Sequence, residues 1–216
     1  MSAHNRPSRE HDEAGAHAAP RLLLASGSPA RAAMLRAAGL DFAVMRPGVD
    51  EAALRAALAA EGATPRDVAD ALAEAKARRA SARRPGALAI GSDQVLALGG
   101  EILSKPESPE AALETLGRLS GRTHALISAA VACEGGAPVW RHVETVRVEM
   151  RAPSAGYLAD YVARNWAAIR ETPGAYLIEG EGARLIARIE GSHYAALGLP
   201  LLPLLGWLAA RGEIAA

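Results

Sequence analysis

The chain has 216 residues, half of them apolar but only 4% aromatic, and its 24 Lys and Arg balance 24 Asp and Glu. That balance removes any electrostatic reason to expect bulk binding to a nucleic acid polymer or an acidic membrane surface. The single cysteine, Cys133, excludes an internal disulfide and a cysteine zinc cluster.

A core built mainly from Leu, Val, Ile and Ala favours layered α/β architecture over a β-sandwich. Residues 1–20 are polar, with His4, His11 and His17 scattered among charges, Ala and Gly. They lack the apolar centre of a signal peptide and read as a disordered lead-in to one domain over 21–216. Arg21 to Ala25 predicts a first strand. Ser28 then caps a helix from Pro29 to about Ala38, with Pro29 at home in its first turn. The strand–glycine–helix turn offers backbone N–H groups and a positive dipole end to a phosphate, and Arg31 adds a bidentate donor.

Phe42 to Met45 predicts a second strand, and Asp50 caps a helix to about Ala60 with Glu51 in its first turn. Thr64 caps a long helix from Arg66 to Ala82, whose Val68, Leu72 and Ala75 form an apolar stripe, with Lys76 beside it. Leu88 to Ile90 is a buried strand end that continues through Gly91-Ser92-Asp93-Gln94-Val95. Asp93 lies between apolar neighbours, where a carboxylate costs several kcal/mol to desolvate, on the order of 2–7, unless a cation or donor meets it. The Gly99-Gly100 turn folds the next segment back and brings Lys105 onto the adjacent strand end, a way of building a metal–phosphate site. Taken alone, the same residues also fit a turn carboxylate and a solvated edge charge.

Ser108 opens a helix to Leu119, and Thr123–Cys133 and Pro138–Met150 read as long strands joined at Gly135-Gly136. Ser154 caps a helix through Asn165. Gly174–Glu179 and Ala183–Ile189 read as short strands, and Pro200 begins the last helix. The apolar run Ala195–Ala210 is interrupted by Pro200 and Pro203 and falls short of the ~18 residues of a membrane helix. A soluble, cytoplasmic protein is expected, with a mixed rather than wholly parallel sheet.

Taken together, several segments resemble the Maf family of nucleoside triphosphate pyrophosphatases. They are Leu24 to Pro29 with Arg31, Val49-Asp50-Glu51, Leu72 to Ala77, Ile90 to Val95, Lys105-Pro106, Leu119 to His124, Ile189-Glu190-Gly191 and Gly198 to Leu201. They occur in family order over nearly the whole chain. The resemblance implies an α/β fold like the inosine triphosphatases: a mixed twisted sheet with flanking helices, and two lobes around a cleft that takes the nucleotide. It implies hydrolysis of a nucleoside triphosphate to the monophosphate and pyrophosphate with a divalent metal cation, Mg2+ or Mn2+, and it admits a homodimer.

Carried over by position, Asp93 matches the catalytic acid, and Glu51 with Asp93 the metal ligands. Ser26, Arg31, Lys76 and Lys105 match residues of the phosphate site. The family usually has two arginines after Ser-Pro, where this chain has Ala30 and then Arg31. Gln94 and Glu179 stand where thymidine- and uridine-preferring members have Thr and Gln. Both resemble the branch acting on 7-methylguanosine triphosphate and are expected to bind substrate. Glu181 replaces a residue that is commonly apolar. The alternatives are a dTTP- or UTP-preferring pyrophosphatase, and a nucleotide-binding regulator of cell division without catalysis. Asp93 beside Glu51 favours the enzyme, since a pure binder has no need of an acid next to a triphosphate.

Overall fold

The computed structural model describes residues 20–215, so the expected lead-in falls, apart from Pro20, outside the described residues. Seven strands form one mixed sheet: β1 (Leu22–Ala25), β2 (Phe42–Val44), β3 (Leu88–Leu98), β4 (Glu101–Leu103), β5 (Thr123–Glu134), β6 (Ala137–Met150) and β7 (Ile186–Glu190). Their order is β2-β1-β3-β5-β6-β7, with β4 added to β3. The first three pair in parallel and the remaining pairings are antiparallel.

The helices are α1 (Pro29–Ala37), α2 (Glu51–Ala60), α3 (Pro65–Arg83), α4 (Pro109–Leu119), α5 (Ala155–Ile169), α6 (His193–Ala196) and α7 (Leu201–Ala210). Most start where the sequence places a cap: Ser28, Asp50, Thr64, Ser108 and Ser154 each accept a bond from a backbone N–H in the first turn. On α3 the cap is reciprocal, with Asp67 bonding back to the Thr64 amide.

Alternation along β3 sorts its residues between two faces. One face takes Val95 and Ala97, which pack with Val68, Ala69, Leu72, Ala73 and Ala77 of α3. The other splits into two cores. Leu88 and Ile90 join α1 and α7 through Leu35, Leu204 and Leu208. Leu96 and Leu98 join α4 and α5 through Leu116, Leu119, Tyr161 and Ile169. Ser92 and Gln94 stand between these two cores.

One expected strand is absent. Residues 174–179 are irregular, because Ala175 adopts φ 55° and Gly174 is packed against the Tyr176 ring and Leu96. An extended strand excludes that left-handed geometry. The chain then tightens into a 3₁₀ turn, Glu181–Leu185, before β7. Glu181 accepts from Arg164 at 2.7 Å and Asn165 at 2.9 Å, so the carboxylate in this unusual position ties the turn to α5. The final apolar run is also divided: α6 and α7 are separate, joined at Gly198-Leu199-Pro200. Among the described residues no helix is long and apolar enough to cross a membrane.

Candidate active site

The site lies at a break in the sheet. β1 ends at Ala25, opposite Gly91 of β3, while β4 on the same edge reaches back only to Leu96, opposite its last residue Leu103. From Ser92 to Val95 that edge of β3 has no partner strand, and unpaired backbone groups in a buried place must be met by something else. Arg31 of α1 meets one of them, its Nη1 donating to the Ser92 carbonyl at 2.9 Å and to Ser26 Oγ at 3.0 Å. Arg31 Nε donates to the Gly198 carbonyl at 2.8 Å, which also accepts from Ser92 Oγ at 3.1 Å. Gly198 turns this carbonyl inward at φ 103°, a backbone conformation open mainly to glycine. One arginine thus ties together the first strand–helix turn, the bare edge of β3 and the α6–α7 junction. Burial pushes its guanidinium below the usual value, while Asp93 and Glu51 act in the opposite direction.

Asp93 points to the other face, towards α3. It is 4% exposed, and both of its oxygens are held. Lys76 Nζ donates to Oδ1 at 2.6 Å and Arg55 Nη2 to Oδ2 at 3.2 Å. Lys76, itself buried, also pairs with Glu51 Oε1 at 2.8 Å. The contact depends on Gly91. A Cβ there would lie 2.1 Å from the Ala73 carbonyl and 2.6 Å from the Ala77 amide, so only glycine lets α3 approach closely enough for Lys76 to reach Asp93. Partial burial raises the Glu51 carboxyl, but the Lys76 bond and charge, with Arg55 and Lys105, more than offset this and hold it below its usual value.

The structure therefore brings Ser26, Arg31, Glu51, Lys76 and Asp93 into one cluster. Lys105 stands at its margin: it is exposed, acts on Glu51 by charge, and pairs with Glu171 at 3.6 Å. Gln94 is largely committed elsewhere. Its amide nitrogen lies 3.0 Å from Ser128 Oγ, 3.0 Å from the Ala195 carbonyl and 3.1 Å from the Ala196 carbonyl, which pins α6 to the sheet. Glu179 sits apart, on the rim of an apolar groove of about 370 Å3 between α1 and the α6–α7 segment, 3.7 Å from His193 Nε2. Ala30 lines the same groove.

Two cations escaped the sequence reading. Arg55 is one helical turn after Glu51, and this i,i+4 spacing was the available signal. Arg46 leaves β2 beside the end of β1, and its Nε is 3.3 Å from where a Cβ of Gly27 would stand. A strand parallel to the first, ending in Arg, was the corresponding clue.

Hard divalent cations such as Mg2+ take one or two carboxylates and complete their shell with water and substrate phosphate. Glu51 and Asp93 supply that kind of donor set, so the residues present fit a cation that arrives with a polyphosphate. An all-protein cage is another matter: among the described residues no group of three or more His, Cys, Asp or Glu converges.

A family model described as Maf-like protein matches residues 21–211. The nucleoside triphosphate pyrophosphatase of Ruegeria pomeroyi is 55% identical over 193 residues, which is 89% of this chain and 97% of its own. That of Sphingopyxis alaskensis is 53% identical over 192 residues, covering 88% and 97%. The 7-methyl-GTP pyrophosphatase of Mesorhizobium japonicum is 49% identical over 194 residues, covering 90% and 98%. With a match across nearly all of the described chain, and with these relatives, the chain belongs to the Maf-like protein family.

Proposed function

We propose that this chain is a nucleoside triphosphate pyrophosphatase, releasing the monophosphate and pyrophosphate at the bare edge of β3. The observation that carries the reading is Asp93: a buried carboxylate with a cation on each oxygen, beside a second carboxylate and within reach of the charge of Arg31 on α1. An ion pair this deep recovers its desolvation cost poorly as a stabilising device, so its presence here points to chemistry.

Ser26 Oγ, the α1 N-terminus and Arg31 face the phosphates from one side, and Lys76 and Lys105 from the other. These charges counter the charge that builds on the α-phosphorus oxygens and on the leaving pyrophosphate. Asp93 orients the attacking water or accepts its proton. Glu51 and Asp93 would hold Mg2+ or Mn2+ together with the triphosphate, and the cation would supply charge neutralisation on the phosphate oxygens.

The test is product identity. The unaltered enzyme should release monophosphate and pyrophosphate, and Asp93→Asn should lower turnover by about 10²–10⁴-fold, the span of a lost acid–base group, with folding kept. Orthophosphate with a diphosphate, or full activity in the variant, would overturn the assignment.

For the base, a guanine-type substrate such as 7-methylguanosine triphosphate is favoured over thymidine or uridine triphosphate. Glu179 supports this, being an exposed carboxylate at the mouth of an apolar groove, with no Lys or Arg bound to it among the described residues. Guanine offers N1–H and the N2 amino group side by side, and a carboxylate accepts both in a fork. A methyl at N7 adds positive charge that the same carboxylate attracts.

A further inference from the structure

We propose that Arg55 keeps the divalent cation out of the substrate-free site and yields Asp93 only when a triphosphate draws its guanidinium away. The inference rests on the pyrophosphatase reading, since it concerns how that site takes up its cation.

The observation is that the ligands offered to a cation are already occupied by the protein's own charges. Asp93 Oδ1 is held by Lys76 and Oδ2 by Arg55, while Glu51 Oε1 is held by Lys76. Lys76 and Arg55 alone cancel the charges of the two carboxylates, and Arg31, which both carboxylates feel, leaves the cluster positive as it stands. A bare divalent cation would have to displace a charge-assisted bond and then sit beside two positive groups in a partly dry pocket, where repulsion is weakly screened. A triphosphate reverses the balance, because it remains anionic with the cation bound and offers a departing guanidinium new oxygens.

Of the two cations, only Arg55 can readily leave. The Lys76 side chain is 8% exposed and projects from α3 onto the sheet, whereas that of Arg55 is 32% exposed. Arg55 is carried by α2, a helix with no fully buried residue, which rests on the core through the partly buried Leu54 and Leu58. Such an element opens at low free-energy cost. Its weaker contact with Asp93, 3.2 Å against 2.6 Å for Lys76, is also the one facing solvent. Arg55 is thus a positioning residue in the empty site and a phosphate ligand in the filled one, and cation and nucleotide enter together.

The experiment is a Mn2+ titration followed by electron paramagnetic resonance, on the full chain without nucleotide. The unaltered protein should bind Mn2+ weakly, and Arg55→Ala should bind it at least about tenfold more tightly, since one competing unit charge has gone. A variant that merely loosened the fold would not gain affinity. Adding Asp93→Asn to Arg55→Ala should remove the gain, which places it at this carboxylate. An α,β-methylene nucleoside triphosphate should tighten Mn2+ binding in the unaltered protein and narrow its difference from Arg55→Ala.

Equal or weaker Mn2+ affinity in nucleotide-free Arg55→Ala would overturn the proposal, as would a gain that survives Asp93→Asn or a difference that the analogue leaves unchanged. Hydrolysis by the unaltered enzyme is scored separately. Its absence alongside the gain would remove the assigned reaction and leave the role of Arg55 standing.

Discussion

Asp93 and Glu179 are both carboxylates near the sheet, yet their surroundings assign them different work. Asp93 is almost fully buried between Lys76 and Arg55, which suits a group that must be held in one place beside a phosphate. The Glu179 side chain is 63% exposed, and His193 is its one ion-pair partner among the described residues, which suits a group that exchanges water for a ligand. If Glu179 reads the base, replacing it by an amide keeps its shape but exchanges one acceptor for a donor. Glu179→Gln should then lower kcat/KM on guanine-type triphosphates relative to thymidine and uridine triphosphates by about tenfold, in line with the ~1.5–3 kcal/mol of a hydrogen bond to a charged group. An unchanged ratio of kcat/KM values would show that selectivity arises elsewhere in the groove.

Between the elements, β3 and α3 pack backbone against backbone at Gly91, which sets their spacing. Gly91→Ala would place a methyl group 2.1 Å from the Ala73 carbonyl, and helix backbone cannot give way as a flexible side chain can. We expect a loss of about 3 kcal/mol, the upper part of the range for overpacking, with activity falling as well because Lys76 moves with α3. Gly117→Ala in α4 is the control. Nothing stands within 4 Å of its Cβ, so helix propensity alone should stabilise by roughly 0.5–1 kcal/mol. Denaturant midpoints of the two variants should shift in opposite directions, and a neutral Gly91→Ala would contradict the packing argument.

These elements were legible because their signals are local. Caps at Ser28, Thr64 and Ser108, the alternation in β6 and the glycine turns all act within a few residues. The pairing of Lys76 with Asp93 is not local: the family resemblance puts both residues at one site in different roles, and only the fold bonds one to the other. The misread strand at 174–179 has the same origin. Its apolar residues fit a strand, but packing of Gly174 on Leu96 and the left-handed Ala175 are imposed by distant parts of the fold. Arg55 and Gln94 fall between these cases, since a sequence can place a side chain on a helix or strand without saying which of several acceptors it takes.

At the scale of the whole molecule, the site lies between two cores that share β3 and β5, and the core of α4 and α5 encloses a titratable group the chemistry does not use. His124 is 2% exposed, its Nε2 is 2.7 Å from the Tyr176 hydroxyl, and its Nδ1 has no partner among the described residues. Burial lowers its pKa from 6.5 to about 4, so the folded protein keeps it neutral over a range in which the unfolded chain binds a proton. The sign follows from linkage: stability is fully present above about pH 6.5 and declines as pH falls towards 4, because protons favour the unfolded state. A shift of this size corresponds to about 3 kcal/mol. Glu51, whose pKa is lowered in the fold, adds to the decline at the acid end, so the total slope cannot be given to His124 alone. The variant His124→Gln isolates it, since Gln keeps a polar group facing Tyr176 and has no proton to gain. Urea unfolding between pH 4 and 6.5 should give a shallower fall in stability for His124→Gln than for the unaltered protein, whatever their difference at pH 7. Parallel curves would mean that His124 is charged in the fold, and the buried neutral pair with Tyr176 would have to be abandoned.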